Sequence, residues 1–197
     1  MRRFAFVIAL LVPVSLSTTG VAVAQESTDI VFEDDTLPAR AKDLLTKYAR
    51  QIRTWGMIQR IVEAAAEASE ETLSSERLAE IEAEWAEGGA DRLVRSLQSN
   101  DCAEALESLL TANAGYADAF VVDRQGTVVC MSRRAPRYSW AEIPGWDAAI
   151  SQGKLFVTEG EPGASGDLVM IRLVVPVLQR GEVVGALAAG KLVPEMD

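Results

Sequence analysis

The stretch 115-GYADAFVVDRQGTVVCMS-132 decides how this chain folds. Before Gly115 the apolar residues recur at steps of three and four, and after it they recur at steps of two. That change of period is a change from helix to strand. "YADAFVVD" and "TVVCMS" read as two strands joined by "DRQG", a turn whose glycine can take positive φ.

Downstream, "PGWDAAISQG" reads as a short helical turn, "KLFVT" as a third strand and "EGEPGASG" as a loose loop. "DLVMIRLVVPVLQ" and "EVVGALAAGKLV" are long strands meeting at Arg180-Gly181. Pro176 cannot donate to a ladder, so a local break or an edge is expected there. Upstream, Leu37, Ala41, Leu44, Leu45, Tyr48, Ile52, Trp55, Ile58, Val62 and Ala65 mark one long amphipathic helix, with Thr36 as its cap and Gly56 inside it. A second, acidic helix starts at Ser74, aligns Leu78, Ile81 and Trp85, and stops at Gly88-Gly89. Two shorter helices follow, with Asp91 and Asp101 as candidate caps. The fold class is α+β: a long N-terminal helix and short helices on a five-stranded antiparallel sheet.

The first residues read differently. Arg2 and Arg3, the apolar run Phe4 to Val12, and Ala22-Val23-Ala24 before Gln25 form a secretory leader of residues 1–24. The run is short of the roughly 20 residues a span needs, so no membrane span is expected after cleavage. No cysteine lies near the cut, which argues against a lipid anchor. Residues 25–35 are a polar, flexible lead-in, and 36–197 form one domain. The location expected is the periplasm. The chain stops soon after the last strand, so any output is expected in a separate protein.

Composition excludes several classes of function. The net charge is −10, and losing a leader with two arginines and no acid makes it −12. Nucleic-acid binding needs a basic face and is not expected. With no histidine, Ser-His-Asp and Cys-His machinery is absent, as is the commonest zinc ligand. Neither a metal nor a cofactor is expected. Paired carboxylates are not placed on one surface by any spacing, so an enzyme is not expected either. Gly160, Gly163 and Gly166 make no phosphate cradle, because Glu159, Glu161 and Asp167 would repel the anion.

"GYADAFVVDRQGTVVCMS", "LVVPV" with "GEVVGALAAGKLV", and "TWGMIQRIVEAAAEAS…IEAEW", taken in order, resemble the single-Cache (PDC, extracytoplasmic PAS-like) sensor domains of bacteria. The resemblance covers nearly the whole chain after the leader. It implies a helix packed on one sheet face and, on the other, loops and short helices around a pocket for a small organic molecule, often a carboxylate. It also implies signalling to a kinase or receptor, here an inner-membrane partner in trans. The segment "RYSWAEIPGW" departs from the family pattern, since Ser139 separates Tyr138 from Trp140. Arg172, Val174 and Ala188 stand where the family commonly has polar strand residues.

Strand parity puts Val169, Ile171, Leu173, Val175 and Val177 on the helix face, and Met170 and Arg172 on the other. A guanidinium inside an apolar strand must reach solvent, a partner or an anion, and it fits a carboxylate through two parallel hydrogen bonds. The alternative for Arg172 is a structural ion pair with an Asp or Glu. Tyr138 and Trp140 line the pocket by resemblance, or else merely cover a sheet edge. Trp146 is ambiguous between core and pocket, whereas Trp55 and Trp85 belong to helix cores. Arg133, Arg134 and Arg137 are expected in solvent. The candidate ligand residues are therefore Tyr138, Trp140, Trp146, Met170 and Arg172. A ligand-free docking module built on the same fold is the rival reading.

Cys102 and Cys130 are expected to stay apart. If the first strand ran back along the helix that begins at Cys102, Cys130 would lie roughly 13 Å away at 3.3 Å per residue, beyond the ~7 Å limit for a bridge. A skewed helix would shorten that gap.

Overall fold

A computed structural model describes residues 30–143, 145–158, 161–162 and 168–194. The expected leader and the Gly160, Gly163 and Gly166 loop positions lie outside the described residues. Strand β1 (Ile30–Phe32) is followed by α1 (Ala39–Arg53), α2 (Gln59–Ala68), α3 (Ser75–Ala86), α4 (Asp91–Gln98) and α5 (Asp101–Ala112). Then come β2 (Tyr116–Asp123), β3 (Val128–Met131), α6 (Trp146–Ile150), β4 (Leu155–Val157), β5 (Glu161–Pro162), β6 (Leu168–Gln179) and β7 (Glu182–Pro194). The class is α+β.

The hairpins follow from their turns. Asp123 at the end of β2 accepts hydrogen bonds from the backbone of Gln125 and Thr127 at 2.9 Å and from the Thr127 hydroxyl at 2.7 Å. Gly126 sits at φ 81, and a Cβ there would lie 2.6 Å from the Ala141 nitrogen. Between β6 and β7 the chain reverses through Arg180 and Gly181, at φ 54 and 87, the positive pair that suits the twist of a two-residue hairpin. The break expected at Pro176 falls just beyond it, between Val177 and Leu178.

Two expectations need correction. Among the described residues the sheet has seven strands in the order β1-β4-β6-β7-β2-β3, with β5 pairing β6, and it is mixed because β1 runs parallel to β4. The lead-in thus supplies a strand: Ile30, Val31 and Phe32 are β-branched or aromatic and pair with Leu155, Phe156 and Val157. The single long helix is in fact two. A 3-10 turn at Trp55–Met57 and an extended Ile58 (ψ 127) separate α1 from α2. Gly56 explains the break, since it is buried against β6, where a Cβ would lie 3.3 Å from the Pro176 carbonyl oxygen. Tertiary contact, rather than propensity, sets the kink.

The expectation for the cysteines also fails. Cys102 and Cys130 form a disulfide, with their Cα atoms 5.9 Å apart. Helix α5 begins over β3 instead of over the hairpin turn. Asn100, its N-cap, accepts from Ala103 N–H at 2.9 Å and donates to the Val129 carbonyl at 3.0 Å. That skew brings the first turn of α5 over Cys130.

The sheet separates two packed layers. On one side α1, α2 and α5 bury Leu45, Ile52, Ile61 and Leu106 against Leu173, Val175, Leu187 and Val121. On the other, α3, α4, α6 and the segment after β3 enclose Phe120, Trp140, Trp146, Phe156, Val174 and Ala188. The expected strand parity is the one observed: Ile171, Leu173, Val175 and Val177 face the helices, and Val174 faces the other way.

Candidate functional site

The second face carries a buried cation. Arg172 is only 8% exposed, in the middle of β6. Its neighbour across the ladder is Gly190 of β7, and Gly190 in turn pairs with Asp118 of β2. With no side chain on the central strand, the two outer residues meet across it. Arg172 Nη1 donates to Asp118 Oδ1 at 2.9 Å. A Cβ on Gly190 would lie 2.8 Å from that oxygen and 3.2 Å from Met170 Sδ, so Met170 closes the same corner. The guanidinium lies 5.2 Å from the Phe120 ring centroid and 5.8 Å from that of Trp140. Such stacking suits a flat, weakly hydrated cation.

Trp140 stands at the centre of the aromatic group, 4.7 Å from Phe120 and 6.0 Å from Trp146 between ring centroids. Its indole N–H is used, donating to the Arg137 carbonyl at 3.2 Å. Trp146 differs. It is 4% exposed at the start of α6, and its indole N–H has no hydrogen-bond partner among the described residues. Leaving such a donor unpaired costs on the order of 1–3 kcal/mol. Gly145 lets the chain reach this position: at φ 82 it sits against the Phe156 ring, which a Cβ would strike at 2.0 Å.

Four of the five candidate residues therefore gather about Arg172: Met170, Arg172, Trp140 and, one ring further out, Trp146. Tyr138 takes a different place. Its ring packs on Trp85 at 5.5 Å, and burial pushes its phenol pKa up. It lines a separate groove of about 660 Å³ between α2 and the start of α5, which also carries Glu63, Glu67, Glu71 and Asp101. Carboxylates on its walls make that groove a poor site for an anion.

Sequence reasoning missed Asp118 and Phe120. Both lie on one face of β2, two residues apart, and that parity together with an unpaired Arg172 was the available signal. Which β2 side chain meets Arg172 depends on the strand order. The basic segment also needs a correction. Arg134 is no solvated charge, since it donates to the carbonyls of Trp85, Gly88 and Gly89 at 2.9–3.2 Å and lies 4.7 Å over the Trp85 ring. It satisfies the open C-terminal carbonyls of α3, where a cation also complements the helix dipole. Arg137 lies 5.8 Å from the Trp140 ring, and Arg133 is exposed.

Among the described residues no group of His, Cys, Asp or Glu is gathered to hold a metal ion. No described helix is long and apolar enough to cross a membrane.

No protein-family profile matches the chain, and no curated protein does. Solved structures do. The chain is similar to extracellular sensor domains. The ligand-binding domain of the Pseudomonas aeruginosa amino acid chemoreceptor PctC, solved with GABA, is 20% identical at a TM-score of 0.38 over 75% of this chain and 61% of that one. The sensor domain of the V. cholerae histidine kinase DctB is 16% identical at 0.33, over 77% and 57%. An extracellular ligand binding receptor from Desulfohalobium retbaense is 17% identical at 0.36, over 69% and 25%. The chain thus spans from a quarter to about three fifths of these proteins. Likeness at this distance carries no argument about ligand or partner, which must come from the residues themselves.

Proposed function

We propose that this chain is a non-catalytic, extracytoplasmic sensor protein of Cache type that binds a small organic carboxylate at Arg172. The observation carrying the reading is a buried arginine lying against a contacting pair of aromatic rings, with an unpaired indole donor in the same aromatic group. A guanidinium offers five donors, and Asp118 takes one through Nη1. An incoming carboxylate accepts from those remaining, its carbon skeleton lies against Trp140, and the Trp146 N–H gives it a second anchor. Asp118 neutralises the arginine until the ligand arrives, which offsets the cost of burying a lone charge.

The leader read from residues 1–24 supports a periplasmic location. The Cys102–Cys130 bridge supports it too, because disulfides persist in oxidising compartments. Ligand binding stabilises one conformation over another, and that difference is passed to a kinase or receptor in trans.

A second reading, a ligand-free docking module, is favoured by the same ion pair: Arg172 already has an internal acid and needs no ligand. A thermal-shift screen with small carboxylates, amino acids and amines separates the two, because a ligand raises the melting temperature by linkage. Under the carboxylate reading, calorimetry with the best hit shows affinity falling roughly 10- to 150-fold in Arg172→Ala, the loss of a contact worth about 1.5–3 kcal/mol. A screen with no carboxylate hit, or an Arg172→Ala variant that binds as tightly as the parent, leaves the docking-module reading standing.

A further inference from the structure

We infer that Arg133 is a further residue of the Arg172 site, a positioning cation that balances Asp118 when a singly charged carboxylate binds. This role rests on the carboxylate reading of Arg172 and narrows the ligand by its charge. Charges are ordered across the sheet. Arg172 stands on β6, its neighbour on β7 is Gly190, and the neighbour of Gly190 on β2 is Asp118. The pairing of β2 with β3 carries this row one strand further. Phe120 lies opposite Met131, and just past the end of β3 the Ser132 N–H donates to the Ala119 carbonyl at 2.9 Å. The Ala119 N–H donates in return to the Ser132 hydroxyl at 3.0 Å. The next residues on the two chains are Asp118 and Arg133. The chain bends at Ser132 and Arg133, so Arg133 leaves the sheet beside Asp118.

Arg133 is the uncommitted cation of its segment. Arg134 donates to three carbonyls at the end of α3, and Arg137 lies over the Trp140 ring. Arg133 is exposed and makes no hydrogen bond or ion pair with any described residue. Asp118 has room for a second cation. Arg172 engages its Oδ1, and its side chain keeps 22% exposure against 10% for Arg172. The other carboxylate oxygen is a further acceptor for a guanidinium. Residues opposite each other in an antiparallel pair have Cβ atoms about 4.5–5.5 Å apart, well within the reach of an arginine.

Charge balance selects the ligand. Arg172 and Asp118 together are neutral, so an incoming carboxylate leaves two negative charges on one buried guanidinium. The unmatched charge is costly where water is largely excluded. Arg133, moving onto the second oxygen of Asp118, restores the balance, and the charges then alternate along one row. A ligand with a single negative charge completes that row. A second carboxylate would leave it negative again, and an added ammonium would leave it positive. The site is therefore one for a monocarboxylate, with an apolar skeleton lying against Trp140.

The test is calorimetry of the full protein with propionate, malonate and β-alanine, which share a three-carbon skeleton and carry one, two and no net negative charges. The parent should bind propionate at least about fivefold more tightly than the other two, since each of those brings an unmatched charge. Arg133→Gln should weaken propionate about threefold to fivefold, the upper range for an exposed pair, while Arg133→Lys stays within about twofold of the parent. In the Asp118→Asn background Arg133→Gln should change propionate affinity by less than about twofold, because no acid is left to balance. The contrast of Gln with Lys at Arg133 needs no change at Asp118 and decides the matter even where Asp118→Asn folds poorly. A cation that merely attracts anions from solution acts equally in both backgrounds, and that result overturns the inference. Parental affinity in Arg133→Gln overturns it, as does a parent that prefers malonate or β-alanine. In those cases a propionate affinity that still falls in Arg172→Ala leaves the carboxylate reading standing. A parent that binds none of the three also overturns the inference, and the wider screen then decides the carboxylate reading by itself.

Discussion

The two faces of the sheet are built by different rules. The face under α1, α2 and α5 is closed mainly with Ala, Leu, Ile and Val, with Trp55 and a buried Lys191 beside Tyr48 and Tyr116, and its two cysteines are joined across the α5–β3 contact. The face under α3, α4 and α6 holds Tyr138, Trp140, Trp146, Phe120 and Phe156, and admits Arg172 with Asp118. On the packed face under α1 the cation rests on tyrosine rings and donates to the Ala114 carbonyl, with no acid beside it among the described residues. The other keeps an ion pair and an idle donor where apolar residues of similar size would pack at least as stably. On the proposed reading, these groups make the second face the one that binds.

The largest effect should come from the packed face. Replacing both Cys102 and Cys130 by Ala opens a loop with a sequence separation of 28 and should cost about 3–4 kcal/mol in denaturant unfolding on the chain-entropy account. Ligand affinity, read on the other face, should not change. A double variant that loses affinity at full stability would dissolve the division between the faces.

Asp118→Asn tests the working face in two directions. Unpairing a buried guanidinium should destabilise the protein by about 1–3 kcal/mol in the same unfolding assay. Carboxylate affinity should rise, by roughly tenfold for each 1.4 kcal/mol released, because a negative charge beside the ligand's donors is removed. A fall in affinity would mean that Asp118 contacts the ligand instead of holding its place.

Trp146→Phe keeps the ring and removes the N–H. Stability should hold or rise slightly, since an unsatisfied buried donor is lost, while affinity falls by about 1 kcal/mol, or roughly fivefold. Equal affinity in calorimetry would return Trp146 to the core.

The smallest effect belongs to the packed face at high pH. Burial beside Tyr48 pushes Tyr116 from 10.0 up to about 12. The folded chain therefore keeps this proton over a range where the unfolded chain releases it. With more protons bound in the native state, stability falls as pH rises from about 10 to about 12. Tyr116→Phe should flatten that part of the curve, as followed by urea midpoint, and leave the neutral range unchanged. Lys191, whose pKa is lowered by burial, sits 4.1 Å over the same ring and changes stability in the opposite sense. The Lys191 contribution falls below its ordinary 10.5, so a parent curve already flat above pH 10 would mean that folding does not hold the Tyr116 proton.

Much of the architecture was legible because it is local. Ser74 caps α3 through Arg77 N–H, Gly88 follows its end at φ 78, and Gly126 and Gly181 supply positive φ at their turns. The alternation in β6 assigned both faces, and Arg172 was marked by being a charge within an apolar run. All of these are decided by a residue and its near neighbours in the chain, where period and dihedral preference act directly. Four features were decided only by tertiary structure: the kink at Gly56, the strand at Ile30–Phe32, the Cys102–Cys130 bridge and the meeting of Asp118 with Arg172. Each needs two segments far apart in sequence to arrive side by side. Gly56 bends the helix because the Pro176 carbonyl lies against it, and Asp118 reaches Arg172 because β7 runs between them with a glycine at the crossing point. Period and propensity are properties of a segment by itself, whereas strand order and helix skew come from how the segments share one core.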